Sequence, residues 1–248
     1  AVLSVLFSHL GSDIFSGGFV GVDIFFVISG FLITSIILRE IEKGYFSIIG
    51  FYERRVRRIA PALFTVLIFC ICASFTLYLP LELNDFSESL LAAIAFLSNI
   101  YFWSEVDYFS ATPALNPLLH LWSLGVEEQF YILFPLLLLV GILRFPKYLI
   151  HLLMIFLIGS FLFSIKAVEH NPSDAFYLPH LRAWELLLGA LLALDIFKRH
   201  QSILLNNSVS FLGLSLILWS IFTFTPTTPF PGMNALYPVI GTGLIIYA

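Results

Sequence analysis

Leu115-Asn-Pro-Leu-Leu-His-Leu-Trp-Ser-Leu-Gly-Val-Glu-Glu-Gln-Phe-Tyr-Ile-Leu-Phe-Pro135 is the stretch on which the reading of this chain turns. Its apolar run continues to Leu143, long enough for a membrane helix. Yet its first turns carry His120, Ser123, Glu127, Glu128 and Gln129. Ionisable groups in such a helix are costly and point to function or to a partner. At about 100° per residue, His120, Ser123, Glu127 and Tyr131 share one narrow face. That phase turns Glu127, rather than Glu128, inward.

Composition sets the solvent. Of 248 residues, 59% are hydrophobic and only 11% charged, with 27 Phe. A soluble domain carries about one quarter charged residues. The apolar segments are continuous and about one span long, which argues for helices and against an alternating β-barrel. The expected fold is therefore all-α: a polytopic transmembrane helix bundle of about eight spans plus one short segment. The whole chain, residues 1–248, reads as one membrane domain, opening and closing inside apolar runs as an excised piece does. Cys70 and Cys72, two apart in an apolar run, point to different sides of a helix and read as packing residues.

The spans read from apolar runs are residues 1–10 as a helix tail, then 19–38, 61–79, the helix quoted above, 148–165, 180–197, 209–224 and 235–248. Residues 39–58 read as a hydrophilic loop ending in Arg54-Arg55-Val-Arg57-Arg58, with Pro61 in the first turn of the next span. Glu82, Asp85 and Glu88 read as an acidic loop. Residues 90–103 are apolar but short and broken by Ser98-Asn99, a re-entrant or interfacial segment. If that segment does not cross, Arg39, Lys43, Arg54, Arg55, Arg57, Arg58, Arg144, Lys147, Lys198 and Arg199 share one side, ten of the twelve Lys and Arg. The positive-inside rule makes that side cytoplasmic. His9, Asp23, His120, Glu127, Arg182 and Glu185 then fall near the opposite, outer ends of their helices.

Each polar feature has a structural and a functional reading. The Arg54–Arg58 cluster is a topological anchor, or a cytoplasmic anion site in which guanidinium groups clamp phosphates bidentately, as on a nucleotide or coenzyme A. His9 is a packing residue, or a general base able to take a hydroxyl proton near neutral pH. Glu127 and Glu128 are interfacial carboxylates at a helix start, or the support of a histidine. Arg182 and Glu185, three apart on one helix, pair to lower the cost of burial, or line a cavity. Asp23, after Gly17-Gly18, takes a helix N-cap or first-turn role or joins the same cavity. No P-loop, nucleophile elbow, metal-ligand spacing or basic-aromatic nucleic-acid surface is present. The same intramembrane acids and histidine would also serve a proton-coupled transporter of a sugar or a lipid-linked glycan, the rival to an enzyme.

Five stretches, taken in order, resemble the acyltransferase-3 family of integral membrane acyltransferases: Phe7-Ser-His9; Gly18-Phe-Val-Gly-Val-Asp-Ile-Phe-Phe-Val-Ile-Ser-Gly-Phe-Leu-Ile-Thr34; Phe51-Tyr-Glu-Arg-Arg-Val-Arg-Arg-Ile-Ala-Pro61; Asn116 to Tyr131; and Leu181-Arg-Ala-Trp-Glu-Leu-Leu-Leu-Gly-Ala190. The loop at residues 99–120 is most similar to the O-antigen acetyltransferase branch. The resemblance implies transfer of an acyl group, acetyl foremost, from cytoplasmic acyl-CoA to a hydroxyl of an envelope polysaccharide or lipid-linked glycan. It implies a multi-pass protein of the bacterial cytoplasmic (inner) membrane, with acetyl-CoA as donor substrate and no resident cofactor or metal. By that likeness Arg54, Arg55 and Arg58 hold the coenzyme A phosphates and His9 is the base, supported by Glu127 or Glu128. Asp23, His120, Ser123, Arg182 and Glu185 complete the polar cavity. A fused C-terminal extracytoplasmic domain is common in that branch.

Overall fold

A computed structural model describes residues 1–10, 13–108, 116–195 and 202–248. The expected basic turn at Lys198 and Arg199, and part of the 99–120 loop, lie outside these. Every regular element among the described residues is helical. The α-helices are α1 (Val2–His9), α2 (Gly21–Glu42), α3 (Ile48–Leu77), α4 (Pro80–Ile94), α5 (Ser98–Tyr108), α6 (Leu121–Arg144), α7 (Leu149–His170), α8 (Pro172–Tyr177), α9 (Pro179–Ala193), α10 (Ile203–Thr223) and α11 (Leu236–Tyr247).

Five segments are long and apolar enough to cross a membrane: Gly18–Glu42, Ile48–Leu77, Leu121–Arg144, Leu149–His170 and Ile203–Thr223. The expected count of about eight spans is not confirmed among the described residues. Among the described residues α9 has 15 residues, short of the roughly 20 that a span needs. Hydropathy does not separate a helix wrapped in lipid from one wrapped in protein. In α9, Leu181, Arg182, Trp184, Glu185, Leu186, Leu187, Gly189, Ala190 and Leu191 are all buried.

The chain forms two compact units. The first comprises Ala1–Leu38, Val140–Phe176 and His180–Ala248. Here α2 and α9 cross backbone to backbone. A Cβ at Gly30 would sit 1.9 Å from the Leu186 carbonyl oxygen, and one at Gly189 would sit 1.9 Å from that of Val27. Only hydrogen fits such a crossing, as is common where membrane helices pack on small residues. Gly213 and Gly241 do the same for α10 and α11. Val27, Trp184, Ala235 and Val239 fill one core of this unit. Val20, Ile24, Ile217, Ile221 and Phe224 fill another.

The second unit comprises Arg39–Leu139 and Tyr177–Pro179. Gly44, at φ 74°, closes α2: the Tyr45 and Gly44 N–H groups return to the carbonyls of Glu40 and Ile41. The Ser47 hydroxyl then accepts the Gly50 N–H at 3.3 Å and starts α3. The arginine cluster therefore lies on the opening turns of a 30-residue helix, not in a loop, and Pro61 lies inside that helix rather than at its start. The acidic residues expected in a loop lie on α4, where the Glu82 carboxylate accepts the Leu79 N–H at 2.8 Å. Residues 90–103 are not one segment. They hold the end of α4, a turn with Phe96 at φ 55°, and the start of α5. Leu63, Leu67 and Cys70 of α3 pack on Phe86, Ala93 and Leu118, while Cys72 is exposed.

Candidate functional site

The first unit buries three charged side chains together. Arg182 Nη2 lies 3.2 Å from Asp23 Oδ1, and Nη1 lies 3.2 Å from Glu185 Oε1. All three side chains are at most 1% exposed. The rings of Phe26, Phe230 and Phe176 stand 5.3, 5.9 and 6.0 Å from the guanidinium carbon. Two carboxylates thus answer one guanidinium inside an aromatic wall. Asp23 lies in the first turn of α2, as one of its two readings expects, and is fully buried against the arginine of α9. His9 ends α1 and is exposed. Its Nδ1 lies 2.8 Å from the Val5 carbonyl oxygen. A carbonyl only accepts, so Nδ1 carries the hydrogen.

The second unit is organised around Arg55. Its Nη2 donates to Glu128 Oε1 at 3.0 Å, and its guanidinium stacks 4.0 Å over the Tyr131 ring. Tyr131 Oη in turn donates to Glu127 Oε1. Arg54 Nη2 meets both oxygens of Glu40 at 2.7 Å, and Arg57 pairs with Glu53 at 2.7 Å one turn earlier. Arg58 is exposed and makes no ion pair among the described residues.

Two expectations change here. Glu128, not Glu127, is the buried glutamate of the pair. Arg55 of α3 draws Glu128 inward, while Glu127 accepts from Tyr131 one turn on along α6, and His120 lies in the turn before α6 begins at Leu121. The arginines and the α6 acids also do not sit at opposite helix ends. Arg55 meets Glu128 and Tyr52 Oη donates to the Ile132 carbonyl, so α3 and α6 run antiparallel with their polar turns level. His120 is exposed, and the Ser123 hydroxyl turns back to the His120 carbonyl at 3.3 Å.

Sequence reasoning missed an amide pair. Gln129 Nε2 donates to Asn99 Oδ1 at 2.8 Å and to the Phe96 carbonyl at 2.9 Å, while Asn99 Nδ2 reaches the Tyr177 carbonyl at 3.1 Å. Asn99 is fully buried against Gly125, where a Cβ would stand 2.7 Å from Asn99 Oδ1. The spacing Gly125 to Gln129, one turn of α6, was the signal: a small residue and an amide on one face make a seat for a second amide. Glu40 was missed because it reads as one more charge in a loop.

A polytopic helical body with buried ion pairs and a row of arginines on one helix start is a membrane protein built to hold charge inside its helices. The chain belongs to the acyltransferase-3 family, whose model, an acyltransferase domain, matches residues 1–248. It is 38% identical over 237 residues to an uncharacterised protein of Haemophilus influenzae, covering 91% of this chain and 96% of that one. It is 39% identical over 199 residues to the O-acetyltransferase OatA of Staphylococcus aureus, covering 78% of this chain and 32% of that protein. Against the peptidoglycan O-acetyltransferase OatA of Listeria monocytogenes it is 33% identical over 262 aligned positions, covering 100% of this chain and 42% of the relative. The chain thus spans well under half of either OatA. No solved structure matches it.

Proposed function

We propose that this chain is the membrane part of an O-acetyltransferase that takes acetyl from acetyl-CoA on the cytoplasmic side of a bacterial inner membrane and delivers it to a hydroxyl of a cell-envelope glycan. Family membership and the two OatA relatives support the reaction class. The name of the Listeria relative favours a peptidoglycan acceptor over an O-antigen one. The single observation that carries the donor is the pair Arg55 and Arg58, three residues apart on one face of α3, with the Arg55 plane fixed by Tyr131. Guanidinium groups in that disposition take phosphate oxygens bidentately.

His9 supplies the base. Its Nε2 takes the proton of the acceptor hydroxyl as the oxygen attacks the thioester carbonyl; the C–S bond breaks, and the proton passes to the departing thiolate. Support for the imidazole comes from the Val5 carbonyl, which fixes the tautomer. Glu127 accepts from Tyr131 and Glu128 accepts from Arg55.

The test is acetyl-CoA-dependent O-acetylation of envelope glycan by the full-length protein in membranes. His9→Ala is expected to abolish transfer while acetyl-CoA binding stays. Wild-type transfer in that variant would remove His9 as the base. Unchanged coenzyme A affinity in Arg55→Ala and Arg58→Ala would remove the donor assignment.

A further inference from the structure

Three of the four arginines opening α3 are engaged by carboxylates, but not alike. Arg54 gives one nitrogen to both oxygens of Glu40. Arg57 and Glu53 form an exposed pair one turn apart. Arg55 meets Glu128 through a single contact of 3.0 Å, although a guanidinium has five donors and can match an oxyanion with two of them. Its Nε is buried and has no hydrogen-bond partner. The Tyr131 ring fixes its plane from below, and Glu127 holds Tyr131. Arg55 is therefore oriented, neutralised at one corner, and left with donors to give.

We propose that Glu128 is a stand-in for the donor's phosphate: in the empty protein it occupies Arg55, and an anionic donor must displace it to be bound. The proposal rests on the coenzyme A reading above and adds to it the residue that sets donor affinity. A buried guanidinium without a counter-ion is costly, so Glu128 keeps Arg55 neutral while the seat is empty. A phosphate arriving with Glu128 in place meets a neutral pair and a like charge. With Glu128 swung away it meets a free cation and can take Nε together with an Nη nitrogen, a geometry that the single Glu128 contact does not satisfy. Arg58, one turn on, is open to a second oxygen of the same group. Tyr131 stays beneath Arg55 through the exchange. A neutral thioester has nothing with which to displace Glu128, so the exchange selects donors that carry phosphate.

The experiment titrates the full-length protein in nanodiscs with coenzyme A, and separately with adenosine 3′,5′-bisphosphate, which carries phosphates without the thioester arm. Arg55→Ala is expected to raise Kd by about tenfold or more, and Glu128→Gln to lower it by about tenfold. The double variant is expected to gain much less from Glu128→Gln than the wild type does, because Glu128 acts on the ligand mainly by occupying Arg55. A Glu128 that merely holds the fold would weaken binding when changed, so an unchanged or higher Kd in Glu128→Gln overturns the proposal. If Glu128→Gln does not fold, Glu128→Met, uncharged and of similar volume, is read in the same way. Unchanged Kd in Arg55→Ala sinks the coenzyme A reading itself. Loss in Arg55→Ala without gain in Glu128→Gln sinks only the stand-in role.

Discussion

Replacing Arg182 by Met should be among the most damaging single changes in the first unit. At 3.2 Å and an effective dielectric constant of about 20, each of its two carboxylate contacts is worth about 5 kcal/mol of Coulomb energy. Desolvating three ions costs several kcal/mol apiece, so the intact cluster contributes little net stability. Removing the cation is different, because Asp23 and Glu185 are left buried together without the guanidinium that answers them, at a cost of about 3–5 kcal/mol. For a chain of this size that is a fall of roughly 10 °C in Tm. Asp23→Asn and Glu185→Gln should each cost only about 1 kcal/mol, near the worth of one neutral hydrogen bond, since the cluster holds one carboxylate more than it has guanidinium. Thermal unfolding of the purified protein in detergent, followed by intrinsic tryptophan fluorescence, reads all three. Arg182→Met within about 2 °C of wild type would refute the reasoning, as would either carboxylate variant falling as far as Arg182→Met.

Gly189→Ala places a Cβ 1.9 Å from the Val27 carbonyl oxygen, a backbone atom that moves only if α2 moves, and is expected to cost about 1–3 kcal/mol or more in the same assay. Gln129→Leu leaves the buried Asn99 Oδ1 and the Phe96 carbonyl without their donor, for about 1–3 kcal/mol, and Gln129→Glu should not restore them. Burial, then the neighbouring Asp85 and Glu88 carboxylates, raise the Glu105 carboxyl above its ordinary 4.5. The folded protein therefore holds that proton more tightly than the unfolded chain, and the stability it contributes is full below 4.5 and lost as pH rises through the folded value. Glu105→Gln is neutral throughout, so its Tm should match wild type near about pH 4 and exceed it at about pH 7; the same difference at both values would contradict the assignment.

The helical class and the polar residues were legible because composition reports solvent and an ionisable residue in an apolar run has few innocent explanations. What was not legible depends on partners far away in sequence. The turn Arg54–Arg58 reads as a loop because it is dense in charge, yet Glu128 lies 73 residues on and only the fold brings it to Arg55. The α3 boundary was readable in principle, from Gly44 as a helix stop and Ser47 as a helix start, but the charges between Ser47 and Pro61 hid it. Residues 180–197 read as a span because hydropathy scores the interior of a protein and the interior of a bilayer alike. α9 is 15 residues long and has buried residues on every side, so its apolar run is accounted for by contacts within the protein.

The two buried arginines also show how a charge kept for structure differs from one kept for exchange. Arg182 has aromatic rings around it, meets two carboxylates, and is 1% exposed, beside the α2–α9 crossing that Gly30 and Gly189 hold at backbone contact. Arg55 is 15% exposed, meets one carboxylate through one contact, and lies on a helix start beside the open Arg58. A site that must bind and release a polyanion on each turnover needs a counter-ion that leaves, because a cation held as tightly as Arg182 would bind nothing and a cation with no partner would destabilise the empty protein. On the proposed reading of the donor site, Glu128 meets both demands at once. That gives Glu128 a reason to sit beside Glu127, since Glu127 holds the ring under Arg55 while Glu128 is free to let the guanidinium go.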